Sequence, residues 1–180
     1  IPFVSTLTIG ENYSRLAEHP DYLDQPLYRA SLSAAEIRSL QEQKRKEWQD
    51  SRWTWWMKLM TPIAQENVRK LHEAGAIVVL GTDQTLGPAT HREMELLAAA
   101  GIPAAAIVRM ATLNGAVFLG RERDLGSIEV GKLADAVLLT ADPTQDVENA
   151  KAIAAVIKDG RIVDESALQL AGGPVPRRLQ

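Results

Sequence analysis

Ala76-Ile77-Val78-Val79-Leu80-Gly81-Thr82-Asp83 is a continuous apolar run that ends abruptly in a glycine, a hydroxyl and a carboxylate. A strand with one face in water alternates; five apolar residues in a row suit a parallel strand covered on both faces. Upstream, Thr61-Pro62 is a helix-start signal, a capping hydroxyl followed by proline at the first helical position. Ile63, Val68, Leu71 and Ala74 give that helix an apolar face, and Gly75 stops it. Downstream, the spacing predicts a helix from Thr90 to Ala100 closing at Gly101, and a second from Pro103 toward Leu119-Gly120. Helix, glycine, strand, polar strand end and helix again is the alternation of an α/β protein.

The same reading extends to both ends. Ile1 to Leu7 is β-branched and apolar, predicting a short buried strand. A long polar stretch runs from Gly10 to Met60, with turns at Pro20 and Pro26. Within it Ser33-Ala34-Ala35-Glu36 is a capping box, opening a helix that should run to Trp53. Past Gly120 the character changes. Leu125 to Gly131 carries glycines at turn spacing, and Ala136 to Leu139 reads as a strand. Val156 to Val163 reads as a hairpin around Asp159-Gly160, the pair a tight primed turn wants. A domain boundary is expected near Gly120.

Composition narrows the function. The 180 residues carry 20 Lys+Arg against 23 Asp+Glu, a net charge of −3, which excludes a nucleic-acid binder recognised by bulk charge. No apolar run approaches the roughly 20 residues of a membrane span, so neither a nucleic acid nor a membrane is expected as partner. With no cysteine, thiolate zinc sites and cysteine nucleophiles are excluded. The compartment is not assigned.

Asp83 is the leading candidate for chemistry. A carboxylate just past a buried strand, between Gly81 and Gly87, sits where α/β proteins place their sites. It is equally placed to cap the helix that follows, and local spacing does not choose. The Gly81–Gly87 segment is no phosphate loop, since no Lys-Ser or Lys-Thr pair follows. His91 opens the next helix and is a candidate substrate contact; Glu93 and Glu95 rank below it. Residues 91 and 93 do not share a helix face, and the plain alternative is an exposed helix start with Glu93 near the positive dipole end. His19 and His72 read as structural or solvated. Trp48, Trp53, Trp55 and Trp56 lie within nine residues; packing or a subunit contact in a homo-oligomer is favoured over a pocket wall, with one of them contributing to a pocket. Asp135 reads as a local hydrogen-bond acceptor, and Lys44-Arg45-Lys46 as a solvated helix face.

Several of these pieces in order resemble the C-terminal part of the metal-dependent amidohydrolase superfamily, in its imidazolonepropionase-like and Xaa-Pro dipeptidase-like branch. They are Gly81-Thr82-Asp83, His91 to Leu97 with Gly101, Ala111-Thr112-Leu113-Asn114-Gly115-Ala116, Leu119-Gly120, Leu125 to Asp135, Asp142-Pro143 and the hairpin ending in Gly160. The match spans about 100 residues; before Gly75 it is weaker, though Ser5-Thr6-Leu7 at a strand end fits. The resemblance implies an α/β fold, the C-terminal portion of a (β/α)8 TIM-like barrel followed by part of a small β-rich domain. Residues 1–120 would supply the last two strands and helices of the barrel, and residues 121–180 the C-terminal part of a small β-sandwich domain. By the same resemblance Asp83 binds a divalent metal and shuttles the proton of the attacking water to the leaving group. The metal would be zinc in the first instance, as one or two ions with most ligands outside this chain.

The departure from the family pattern is large. The chain has no His-x-His, and two strands cannot close a barrel. The first residue is Ile1 rather than Met, and such barrels alone take about 250 residues. We therefore expect a partner: the missing N-terminal part of the barrel, as an upstream segment or another chain. Three functions are weighed. The first is a metal-dependent hydrolase of amide-like C–N bonds in a small-molecule substrate: a dipeptide, a cyclic amide or an N-acyl compound. The second is a non-catalytic structural or interaction fragment in which Asp83 is a vestigial cap. The third, a cofactor-binding α/β domain, is the weakest, because no glycine fingerprint is present.

Overall fold

The apolar run around Val78 forms strand β2 (Val78–Leu80), which pairs in parallel with β1 (Phe3–Ser5), Phe3 opposite Val78 and Ser5 opposite Leu80. The computed structural model describes residues 1–84 and 88–163. Six helices carry the chain from one strand to the other or follow the second: α1 (Leu7–Glu18), α2 (Pro26–Ser31), α3 (Ala34–Ser39), α4 (Arg45–Gln49), α5 (Arg52–Glu73) and, after β2, α6 (Ala89–Ala99). Two shorter ones follow, α7 (Ala104–Ala111) and α8 (Leu113–Phe118). A three-stranded antiparallel sheet, β3 (Ala136–Leu139), β4 (Ile153–Lys158) and β5 (Arg161–Ile162), ends the described chain in that order. Among the described residues no helix is long and apolar enough to cross a membrane.

One core gathers Val78, Leu7, Val68, Leu97, Ile107 and Met110 where α1, α5, α6 and α7 meet β2. A second lies under the segment between α1 and α4, around Leu16, Tyr22, Leu23, Tyr28 and Ile37. Arg15 is held inside it, its guanidinium 4.0 Å from the Tyr22 ring centroid and donating to the Tyr28 hydroxyl at 3.0 Å. Asn114 on α8 donates its amide to the Val78 carbonyl at 2.7 Å, tying α8 to β2.

Several expectations change. The predicted strand over residues 1–7 shortens to Phe3–Ser5 and is buried only at its last residue, Ser5: Phe3 and Val4 are exposed, because β1 has β2 on one side and no second neighbour among the described residues. Leu7 instead opens α1, which runs on into the polar stretch. The helix from the Ser33 capping box does not reach Trp53. The box forms as predicted, and α3 continues through one π-helical turn into α4. It stops at Asp50, in the bridge region of backbone space, and Ser51 starts α5 by accepting from the Trp53 amide at 3.2 Å. Thr61-Pro62 is therefore not a start but the middle of α5; the Thr61 hydroxyl donates to the Met57 carbonyl one turn back at 2.8 Å. Of the apolar face assigned to that helix, Val68 is buried while Ile63 and Leu71 are exposed. The helix from Pro103 divides at Thr112, whose φ of −125° and ψ of −90° are not helical.

Other local signals hold. At Gly75, φ is +80° and the Ala76 and Gly75 amides reach back to the Leu71 and His72 carbonyls, the paired closure that lets a helix end in a left-handed glycine. Asp159 and Gly160 both take positive φ, 51° and 73°, as a type I′ hairpin turn requires. Asp135 braces that hairpin by accepting from Lys158 and from the Asp159 amide at 2.8 Å, which hold its carboxyl below the usual carboxylate range, Lys158 the more strongly. It is thus a partner for a turn distant in sequence rather than a local acceptor.

Gly81, one residue past β2, lies tight against β1. A Cβ there would stand 2.6 Å from Val4 Cγ1 and 3.1 Å from the Ser5 carbonyl oxygen. Gly81→Ala should destabilise the protein by about 1–3 kcal/mol, the usual cost of overpacking, read as a lower urea midpoint with an unchanged slope.

Candidate active site

The C-terminal ends of β1 and β2 lie side by side, the Gly81 amide donating to the Ser5 carbonyl at 2.9 Å. Asp83 follows two residues later, exposed and at a φ of +49°. The left-handed region costs a non-glycine residue energy, and aspartate tolerates it better than most. The capping alternative is not realised: α6 has Pro88 at its N-cap position and takes no hydrogen bond from a capping side chain. Gly87, with Thr85 and Leu86, lies outside the described residues.

The side chain of α6 that reaches the strand ends is Glu93, fully buried. Its carboxylate accepts four hydrogen bonds: from the Leu7 amide at 2.9 Å, the Thr8 amide at 2.7 Å, and the hydroxyls of Ser5 and Thr8. The need is plain from α1 itself. Thr6 at its N-cap makes no side-chain capping bond and its first turn holds no acidic residue, so its amides would be left without partners. Glu93 supplies that cap from a distant part of the chain and brings negative charge to the positive end of the helix. Sequence reasoning took Glu93 for part of an exposed helix start. The signal it passed over is spacing: Glu93 shares a helix face with the buried Leu96 and Leu97.

His91 points elsewhere. It lies among Lys151, Glu95 and Glu148, where α6 meets the short 3₁₀ turn Val147–Lys151, and its Nδ1 is buried without a partner among the described residues. Burial first, then the Lys151 charge, lowers its pKa from the usual 6.5, against the smaller pull of Glu95 and Glu148. The ion pairs around it run across the fold: Arg92 to Glu11 at 2.7 Å and to Glu95 at 2.6 Å, then Lys151 to Glu95 at 2.5 Å and to Glu148 at 2.7 Å.

The tryptophans divide. Trp48 packs on the second core and lies against Tyr13, the rings tilted by 38° with centroids 4.4 Å apart, while Trp53, Trp55 and Trp56 are exposed. Trp55 lines a cavity of about 450 Å³ beside the start of α5. Arg45 is not simply solvated, since its Nε donates to the Ala17 carbonyl at 3.2 Å. Among the described residues no three His, Asp or Glu side chains are grouped so that they could hold a metal. Asp83 offers one carboxylate, which is not a complete donor set.

Residues 59–163 match the amidohydrolase family, and the chain belongs to it. An imidazolonepropionase from Symbiobacterium thermophilum is 33% identical over 110 residues, covering 56% of this chain and 26% of its own length. A 5-methylthioadenosine/S-adenosylhomocysteine deaminase from Caldanaerobacter subterraneus is 31% identical over 125 residues, covering 54% of this chain and 28% of its own. Among solved structures, a Xaa-Pro dipeptidase with bound methionine in its active site superposes with a TM-score of 0.62 at 26% identity, over 91% of this chain and 34% of that one. The chain thus spans about a quarter of the curated relatives and about a third of that structure.

Two outcomes follow from this geometry. Glu93→Ala should cost about 3 kcal/mol or more, because several buried donors lose their acceptor at once, and chemical denaturation will read it. In the unfolded chain His91 titrates near its ordinary value, while in the fold it titrates lower. The unfolded state therefore binds more protons as the pH falls below about 6.5, and stability should decline from there until the pH reaches the folded value. His91→Gln should flatten that part of the stability–pH curve.

Proposed function

We propose that this chain is the C-terminal part of a metal-dependent hydrolase that cleaves an amide-like C–N bond in a small molecule. Residues 1–120 would supply the last two strands and helices of its barrel and residues 121–180 part of its small β-rich domain, with 164–180 outside the described residues. The observation that carries the reading is Asp83: an exposed carboxylate on a strained backbone, at the paired ends of two parallel strands, in a chain of the amidohydrolase family. Among the described residues the β1–β2 pair has open edges, and these and the one-third coverage of the dipeptidase structure support a missing N-terminal part as partner.

In this reading a divalent metal of the kind the family uses would provide Lewis acidity toward water and the scissile carbonyl, and Asp83 would be its one ligand from this chain. The work of Asp83 is to accept the water proton and return it to the leaving nitrogen. Gly81 lets the strands approach closely enough to fix that carboxylate, and Glu93 holds the neighbouring strand end still. His91 serves at most as a support behind the site. Dipeptides, cyclic amides and N-acyl compounds are the substrate classes in view.

A second reading is a non-catalytic structural or interaction fragment in which Asp83 is vestigial. Elemental analysis of the complete assembly separates the two: stoichiometric zinc or manganese supports the enzyme, and a metal-free assembly of normal stability supports the fragment. Within the complete protein, Asp83→Asn should leave the fold and thermal midpoint intact and abolish turnover. Activity within about tenfold of the parent, roughly 1.4 kcal/mol of barrier, would remove Asp83 from the mechanism.

A further inference from the structure

Helix α5 has two unlike faces. Toward α1 and the strands it turns Thr54 and Val68, both buried, Ala64, packed on the first core, and Met57 and Thr61, which lie against Gly10. Helical periodicity puts Arg52, Trp55, Leu59, Ile63 and Glu66 on the opposite face, away from β1 and β2. Its three apolar members stand one turn apart and open, Trp55 at 62%, Leu59 at 45% and Ile63 at 50% of full exposure, and Trp56 at the border is exposed too. Single apolar residues on a surface need no explanation, but a continuous stripe with tryptophan in it marks a contact.

The layout of the stripe selects what covers it, because it is symmetric about Leu59. Trp55 precedes Leu59 by four residues and Ile63 follows by four; Arg52 precedes it by seven and Glu66 follows by seven. Seven residues make two turns with a drift of only about 20°, so the cation and the carboxylate end the same stripe. Two copies of this helix, antiparallel about a two-fold axis at Leu59, set Leu59 on Leu59, Trp55 on Ile63 and Arg52 on Glu66, the unlike contacts made twice. Glu66 is half-exposed and open to the newcomer, although Arg69 at 2.6 Å and Lys70 at 3.4 Å already stand beside it. A parallel pairing would oppose Arg52 to Arg52 and Glu66 to Glu66. Strands that extended the sheet past β1 would lie on the inner side of α5, not over this outer face.

We propose that the outer face of α5 is the two-fold interface of a homodimer. Leu59 and the tryptophans supply its apolar centre, and Arg52 with Glu66 fixes its direction and register. The interface stands whether or not Asp83 is catalytic.

The test is sedimentation equilibrium of the complete protein, with circular dichroism on each variant. The parent should be a dimer at micromolar concentration. Leu59→Glu, which sets two like charges on the axis, should weaken association by about a hundredfold or more. Arg52→Glu and Glu66→Arg should each weaken it by about three- to tenfold, since exposed ion pairs are worth little singly, and the double exchange should recover most of that loss. The recovery cannot arise within one copy, where residues 52 and 66 are about 21 Å apart along the helix. Leu59→Glu, at an exposed position, carries the test should Glu66→Arg lose helix signal. A monomeric parent, a dimer that Leu59→Glu leaves unchanged, or a folded double exchange no tighter than the single ones would overturn the proposal.

Discussion

The carboxylate of Glu93 is the point on which the rest of the structure hangs. Two parallel strands of three residues each share few backbone bonds and do not hold a register by themselves. Here Glu93 joins the last residue of β1, through Ser5, to the first turn of α1, through Leu7 and Thr8, and it does so from α6, the helix that follows β2. Hydrogen bonds to an ionised acceptor are about twice as strong as neutral ones, and a carboxylate has sites for four. All are used, which is how the charge is tolerated without exposure.

The same helix separates two kinds of polar chemistry by face. Glu93 looks toward the strand ends, while His91 and Glu95 look toward the 3₁₀ turn at Val147–Lys151 and share its charges. The ion pairs from Glu11 through Arg92 and Glu95 to Lys151 sit on partly buried side chains, with the exposed Glu148 at their end, so they tie α1 and the turn before β4 to one helix. Family membership gives this arrangement a context: the strand ends beside Asp83 are held on one side of α6, and the C-terminal sheet is attached through the other.

What the sequence made legible was local. The Ser33–Glu36 box, the stop at Gly75 and the Asp159-Gly160 turn each depend on a few adjacent residues whose backbone needs are built into their side chains. The strand before Asp83 was legible because a doubly covered strand leaves an unbroken apolar run. The misreadings share one cause, competition from partners distant in sequence. Thr61-Pro62 carries every mark of a helix start, but Ser51 caps ten residues earlier and the helix runs through the proline. Glu93 looked solvated because the four donors that satisfy it lie at the other end of the chain. Asp135 looked local because the turn it braces comes after another strand. Asp83 was placed correctly as a strand-end carboxylate, but no neighbouring residue could have foretold its left-handed backbone or ruled out its capping role.

The pairing of Phe3 with Val78 also governs the order in which the molecule can assemble. Nearly half the chain must be drawn into a loop before the first hydrogen bond between these strands forms, and the entropy of that closure is lost before the contact returns anything. The intervening helices shorten the search by folding early, since their contacts are local; α1 against α5 is the dock that carries the two strands within reach of each other. The β1–β2 pairing thus closes the longest loop of this region, and once formed it still leaves the other side of β1 without a strand neighbour among the described residues.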